Sequence, residues 1–383
     1  MRLATVGRAV NIATPVVGTI RTTSVEDRSN AILVTSLSNH TPDDLTGYRG
    51  LITTSHADDC SLFLRNAGVP MVYAVRETEH LRGGDIVVLQ SNGTIRTLCR
   101  PDSFHNALFV TERCNSNCLM CSQPPKDRDD TEHFLAINRE LIQLMDPDTR
   151  VLGITGGEPT LLREDLCALL ELLNHHLPTT HVQLLTNGRL FAWPDFAARF
   201  AQVRHPNLVL GIPLYSDSAV LHDYIVQAHG AFDQTVLGMH NLARWKVPVE
   251  LRVVLHRLTI PRLVSLAEYT YRNLPFVLHV AFMGLEPTGY TPYNSDKLWI
   301  DPYDYQHELT QAVEHLSIRG MAVSIYNLQR CLLPRSLWSF AQKSISDWKN
   351  IYLPECDWCS ERTACAGFFQ SAAHVHGDHI HAI

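Results

Sequence analysis

The chain has 383 residues, of which 45% are hydrophobic and 19% charged, and its formal net charge is −7. That length exceeds what one core usually covers, so two or three domains are expected of an otherwise ordinary globular composition. The acidic balance excludes a dominant polyanion-binding surface, so nucleic acid is not expected as a partner. No apolar run approaches the ~18 residues of a membrane span.

The start, MRLATVGRAVNIATPVVG, lacks a continuous apolar segment with a cleavage site and reads as mature protein. A cytoplasmic location is therefore expected. There, the ten cysteines suit metal ligation better than disulfides, and seven of them fall in two clusters.

Residues 1–103 read as a separate small α/β domain. Short β runs (VVGTIRT, AILVTS, GLITTS, MVYAV, GDIVVLQ, GTIRTLC) are joined by Gly- and Asp-rich turns, with one helix-like stretch at 58–67. The segment RGLITTS…GTIRTL resembles the swivelling phosphohistidine domain of phosphoenolpyruvate-utilising enzymes. That family has a helix before a GIP turn and a closing GDxVxVxxxxGxV. Its phosphorylated His sits six residues before a helix Arg. Counting back from Arg65 reaches Asp59, and His56 is out of register. The resemblance therefore implies a docking or substrate-presenting module without phosphotransfer.

From 104 to 290, six apolar segments alternate with amphipathic stretches. The β-like segments are NALFVTE (106–112), RVLGITG (150–156), HVQLLTN (181–187), LVLGIPL (208–214), VELRVVL (249–255) and FVLHVAF (276–282). Helical patterns lie between them: TEHFLAINRELIQLM, REDLCALLELLNHHL, PDFAARFAQV, AFDQTVLGMHNLARW and RLVSLAEYTYRN. Such alternation predicts a parallel sheet with right-handed crossovers, and continuous apolar strands suit a sheet covered by helices. The fold expected is α/β, a partial (β/α)6 TIM-like barrel with its site at the strand C-termini.

Directly after the first of these strands, FVTERCNSNCLMCSQPP places Cys114, Cys118 and Cys121 at C-x3-C-x2-C. A structural zinc site wants four protein ligands, whereas three thiolates on a cubane leave one iron with open coordination. The competing reading is a zinc knuckle that borrows a distant His or Cys. The second strand ends in GITGGEPTL, where Gly156 and Gly157 let backbone approach a ligand closely. Glu158 there could offer a carboxylate to an ammonium group, or simply sit at a helix N-terminus that favours an anion. Arg252 is the only charge in LRVVL, and the barrel interior is its expected direction.

These motifs resemble the radical S-adenosylmethionine superfamily over about 105–290. The resemblance implies a [4Fe–4S] cluster on Cys114, Cys118 and Cys121, with an open site for S-adenosylmethionine, whose reductive cleavage yields a 5′-deoxyadenosyl radical. Met120 stands where the superfamily usually has an aromatic residue and would cover the adenine. The resemblance also implies that Gly156, Gly157 and Glu158 meet the methionine amino group, and that Thr186, Asn187, Ser216 and Arg252 position the cosubstrate. An external donor of flavodoxin or ferredoxin type would supply the electron.

Residues 291–383 hold one helix (YDYQHELTQAVEHL), a strand (MAVSIYN) and the second cluster. Cys356, Cys359 and Cys365 fall at C-x2-C-x5-C, with Cys331 upstream. The spacing is similar to the central part of the SPASM extension of peptide-modifying radical enzymes. Phe369 stands where the next Cys of that extension would be, so a single SPASM/twitch-like centre is implied. It would be an auxiliary [4Fe–4S] cluster or zinc on four thiolates. Cys167 falls on an apolar helix face and reads as a buried thiol. Cys60 and Cys99 have no partner motif. The tail HVHGDHIHAI is expected to be a solvated, mobile end rather than a cap on the second cluster.

The run from Tyr326 to Phe369 is similar to the C-type radical maturases of the His-Xaa-Ser peptide systems. That likeness implies a ribosomally made precursor peptide as substrate and a second radical maturase as a possible partner. A crosslink, epimerisation or oxidation would follow C–H abstraction. Two other readings remain at this point: a radical enzyme acting on a small metabolite, and a non-catalytic zinc-binding protein.

Overall fold

The computed structural model describes residues 3–37, 43–56, 68–347 and 349–383. The helix expected at 58–67, with Asp59, Cys60 and Arg65, lies outside the described residues. Contacts divide the chain into two compact units. The first is Met1–Val110, Asp130–Gly153 and Ala168–His181, and the second is Thr111–Asp129, Ile154–Cys167 and Val182–Ile383. These units cut across the sequence boundaries at 103/104 and 290/291, because segments distant in sequence share a core.

In the first unit, eight short strands form one mixed sheet: β1 (Ala4–Val6), β2 (Arg8–Val10), β3 (Val16–Arg21), β4 (Ala31–Val34), β5 (Gly50–Ile52), β6 (Met71–Tyr73), β7 (Ile86–Leu89) and β8 (Thr94–Cys99). Their order is β1-β8-β7-β3-β4-β5-β6-β2. The run β3-β4-β5-β6 is parallel, while β7 and β8 add antiparallel strands. Side-chain alternation divides the core between the two faces. Ile20, Ile32, Ile52 and Val72 pack in one cluster, and Ala31, Leu33, Leu51 and Met71 in another. A sheet with apolar side chains packed on both faces explains why these strands read as unbroken apolar runs. Helix α1 (Thr131–Leu144) packs on β3 and β7 in this unit.

A second eight-stranded sheet runs in strict chain order. It comprises β9 (Ala107–Phe109), β10 (Val151–Thr155), β11 (His181–Leu185), β12 (Leu208–Pro213), β13 (Val249–Leu255), β14 (His279–Gly284), β15 (Val323–Tyr326) and β16 (Ala341–Gln342). From β11 to β16 each neighbouring pair is parallel. Helices follow the strands: α2 (Glu164–His176), α3 (Pro194–Ala201), α4 (Ala219–Val226), α5 (Ala231–Arg244) and α6 (Leu263–Asn273). This is the α/β fold with a parallel sheet typical of TIM-like barrels. All six expected strands are present. The sheet is longer than six, because β15 and β16 extend it beyond β14.

Beyond these sheets and short 3-10 turns, the described residues also form α7 (Ser295–Leu298), α8 (Gln306–Ser317) and an antiparallel pair, β17 (Asn350–Ile351) with β18 (Phe368–Phe369). In this last part Ile345, Phe369 and Ala372 form one small buried cluster. Along β13, Leu251, Val253 and Leu255 are buried, while Glu250, Arg252 and Val254 on the opposite face line cavities. Arg252 therefore points to the interior, as expected. Among the described residues, no helix is long and apolar enough to cross a membrane.

Candidate functional site

A cavity of about 390 Å³ opens at the C-terminal ends of the parallel strands. It is lined by Cys114, Cys118, Met120 and Cys121 from the loop after β9, and by Gly156, Gly157 and Glu158 after β10. Thr186 and Asn187 after β11, and Arg252 on β13, complete the group of expected residues that reach it. Ser216 does not. It is fully buried, and its hydroxyl accepts from the Ser218 amide at 3.1 Å, within its own turn.

The cysteine loop is fixed by backbone pairing rather than by regular structure. The Asn117 and Leu119 amides donate to the carbonyls of Val226 and Ile225 at the end of α4, each at 3.0 Å. Cys121 accepts from the Tyr290 amide at 2.9 Å, and Asn294 Nδ2 holds the Leu119 carbonyl at 2.9 Å. Lys126 and Arg128 both grip Glu112 at 2.7 Å and so join the two ends of the loop. Leu119, Met120, Tyr215, Ile225 and Leu298 make an apolar shell in which Cys118 is packed.

The glycines are there because nothing larger fits. A Cβ on Gly157 would collide with the Arg113 carbonyl. One on Gly156, whose φ is 155°, would stand 2.5 Å from the Thr111 carbonyl. Both contacts are with the segment between β9 and Cys114, so the pair sets how closely the start of the cysteine loop and the end of β10 approach.

Glu158 is 1% exposed, and its carboxylate is engaged by the protein itself. Oε1 accepts from the Thr160 amide at 3.0 Å, the Thr160 hydroxyl at 2.5 Å and the Thr186 hydroxyl at 2.6 Å. Oε2 accepts from the Asn187 amide at 2.6 Å. Burial raises its pKa, and these bonds work against the rise. With four acceptor sites on a carboxylate's two oxygens, only Oε2 keeps capacity for a further donor. The first role of Glu158 is thus to brace the ends of β10 and β11.

Burial pushes the thiols up, Cys114 to about 12 and Cys118 further, with the Glu158 charge adding to the rise at Cys114. Arg189 opposes the rise at both. Sequence reasoning missed Arg189 and Asn115, although LLTNGR puts the arginine two residues after Asn187. Asn187 Nδ2 donates to Asn115 Oδ1 at 2.6 Å, a link between β11 and the cysteine loop invisible in either motif alone.

A second cavity, also about 390 Å³, shares Arg252, Met283, Glu286, Asn327 and Phe369 with the first. On this side, the Glu250 carboxylate accepts from Gln183 Nε2 at 3.2 Å and Arg252 Nε at 2.7 Å. Its other oxygen is 3.0 Å from His279 Nδ1, and His279 Nε2 is 3.0 Å from the Ser324 hydroxyl. Lys349 closes on Glu286 at 3.0 Å.

Cys331, Cys356, Cys359 and Cys365 line one further small cavity together with His381. Burial raises Cys331, and the backbone amide of His381 donates to it and opposes the rise. The tail is not the free end expected from sequence. His379 stacks on Tyr303 with centroids 4.0 Å apart and planes 4° apart, and its Nδ1 lies 2.9 Å from Asp301 Oδ2. Ser360 donates from its amide and its hydroxyl to the Ile383 carbonyl. Among the described residues, the nine cysteines are free thiols, and no group of three His, Cys, Asp or Glu side chains is arranged to hold a single metal ion. Cys167 is fully buried, as expected.

Residues 108–270 match the family model described as the Radical SAM superfamily. This part of the chain is a radical SAM domain. The superfamily implies a [4Fe–4S] cluster and S-adenosylmethionine for this domain. The residues fit those groups: three thiols that line one cavity, a glycine pair whose added Cβ would collide with backbone, and an apolar shell around Cys118.

Similar curated proteins include the GTP 3′,8-cyclase of Campylobacter jejuni, 28% identical over 183 residues, covering 46% of this chain and 55% of the relative. The GTP 3′,8-cyclase of Desulforamulus reducens is 35% identical over 189 residues, covering 48% and 55%. The chain thus spans about half the length of the curated relatives it matches. Among solved structures, Streptococcus suis SuiB bound to S-adenosylmethionine aligns with a TM-score of 0.46 at 14% identity, over 58% of this chain and 50% of that one. The anSMEcpe structure with bound AdoMet gives a TM-score of 0.41 at 17% identity, over 58% and 63%.

Proposed function

We propose that the protein is a radical maturase that modifies a ribosomally made precursor peptide. The observation that supports this reading is the convergence of Cys331 with Cys356, Cys359 and Cys365 in one cavity, from segments whose sequence is similar to the C-type maturases of the His-Xaa-Ser systems. Four thiolates can fully ligate an auxiliary [4Fe–4S] cluster, or zinc, without an open position.

Cys114, Cys118 and Cys121 would hold the cluster that takes the electron, with Met120 and Tyr215 walling the cofactor cavity. When bound, the cluster and cosubstrate supply a 5′-deoxyadenosyl radical that abstracts hydrogen from an unactivated C–H bond. The protein's own part is positioning and exclusion of water. Glu158 keeps one oxygen's remaining capacity for the methionine ammonium, and the Asn187 side chain holds the cysteine loop through Asn115. The adjoining polar cavity around Glu250 and Arg252 would admit the peptide residue that reacts. Residues 1–103, as a docking module of swivelling type, would hold the rest of the precursor. A flavodoxin or ferredoxin would supply the electron, and a second radical maturase would act on the same peptide.

The test is mass spectrometry of a His-Xaa-Ser repeat peptide co-expressed with the protein and with its Cys114→Ala variant. A mass change that requires Cys114 supports the reading, and an unaltered peptide in both samples sinks it. The relatives' name favours a second reading, a small-molecule radical enzyme. Turnover of a nucleotide with the peptide untouched would select it.

A further inference from the structure

Arg189 begins the turn after β11, at the same end of the sheet as the cysteines. Its guanidinium is spent on the cysteine loop: Nη1 donates to the Asn115 carbonyl and, at 3.1 Å, to the Ser116 hydroxyl. From the other side, Nε is fixed by Gln234 Oε1 on α5 at 2.8 Å. Every one of these acceptors is neutral. Among the described residues Arg189 forms no ion pair, unlike Arg252 with Glu250 or Arg262 with Asp217, so its charge is left facing the loop between Cys114 and Cys118. The side chain is only partly exposed, which weakens screening by water and salt.

The loop it faces has the opposite need. Thiolates bound to iron carry negative charge, and taking up an electron adds more. A nearby cation stabilises the more negative, reduced form and raises the reduction potential, as net charge and hydrogen bonding do around iron–sulfur centres. The buried Glu158 carboxylate acts in the opposite sense on Cys114.

We infer that Arg189 is a positioning and charge-compensating residue for the three-cysteine site: its fork fixes the Asn115–Ser116 segment, and its unpaired charge sets the reduction potential of the iron–sulfur group held there. The inference rests on the radical SAM reading of that site and is independent of the substrate. Gln234 offers a separation of the two roles. In Gln234→Glu the hydrogen bond to Nε is kept, while a carboxylate cancels the charge.

The experiment is an anaerobic potentiometric titration of the reconstituted full chain, followed by electron paramagnetic resonance. The signal that shifts on adding S-adenosylmethionine identifies the first site. The wild type, Arg189→Lys, Arg189→Gln and Gln234→Glu are compared at equal iron content. Arg189→Gln and Gln234→Glu are expected to have lower midpoint potentials than the wild type, and Arg189→Lys to stay close to it. Should Arg189→Gln fail to load iron, the positioning role is supported and Gln234→Glu alone decides the electrostatic one. Unchanged potentials in Arg189→Gln and Gln234→Glu at full iron content overturn the inference. A wild-type chain that takes up no iron would instead count against the reading of the site beneath it.

Discussion

The Thr186 hydroxyl donates to the Glu158 carboxylate at 2.6 Å, binding the end of β11 to the end of β10. The Asn187 amide reaches the other oxygen at the same distance, so one buried anion fixes two of the loops that wall the cofactor cavity. In Glu158→Gln, the new amide would face the Asn187 N–H, donor against donor. A loss of about 2–3 kcal/mol is expected from a buried charged acceptor removed in this way, together with weaker binding of S-adenosylmethionine. Denaturant unfolding and calorimetric titration would check both, and a variant as stable as the wild type would refute the brace.

Gly157 gives a steric prediction. An added methyl group in Gly157→Ala must displace the Arg113 carbonyl, one residue before Cys114. Overpacking of this kind costs about 1–3 kcal/mol. The displacement falls on the cysteine loop, so iron incorporation should drop more than global stability does. Iron analysis beside a melting curve measures the contrast. Equal iron loading would show that the close approach is not required.

Glu250 predicts a pH dependence. Burial alone would raise its pKa, but His279 and Arg252 hold the carboxyl below the usual range. A depressed carboxylate stabilises the fold fully above its unfolded value of about 4.3, and that contribution is lost as pH falls through the lower folded value. Glu250→Gln should therefore flatten the acid limb of the stability curve below about pH 4.3. Glu250→Ala should cost about 2–3 kcal/mol, discounted from the ~3–5 of a fully buried pair for its partial exposure. An unchanged acid limb in the glutamine variant would contradict the assignment.

The second cysteine site should be structural for the tail. On the proposed reading, metal ligation by the four thiols would add to the small apolar cluster of Ile345, Phe369 and Ala372 in ordering the segment around Cys356–Cys365. Replacing Cys356 and Cys359 together by alanine should speed proteolysis of this segment and remove one of two metal populations. The signal that responds to S-adenosylmethionine should remain. Identical cleavage patterns for variant and wild type would deny the site that role.

Much of this was legible in the sequence. The six strands of 106–282 and their helices announce themselves because each strand is a short apolar run and each helix an amphipathic one, both local signals. The three cysteines and the Gly156-Gly157-Glu158 turn were legible for the same reason, since their chemistry is written in adjacent residues. What could not be read is long-range. Glu158 looks like a free ligand until Thr186 and Asn187 are folded onto it, and Ser216 looks available until its turn buries it. His379 looks solvated until Tyr303 and Asp301, nearly eighty residues upstream, come beneath it. The strand at 323–326 looked like part of a separate region because its partner β14 precedes a long irregular stretch.

The most direct measurement is product analysis of the anaerobically reconstituted protein with S-adenosylmethionine and a strong one-electron reductant. Release of 5′-deoxyadenosine and methionine is predicted for the wild type, and its loss for Cys118→Ala. A wild-type preparation holding iron at cluster stoichiometry that cleaves no S-adenosylmethionine would contradict the account.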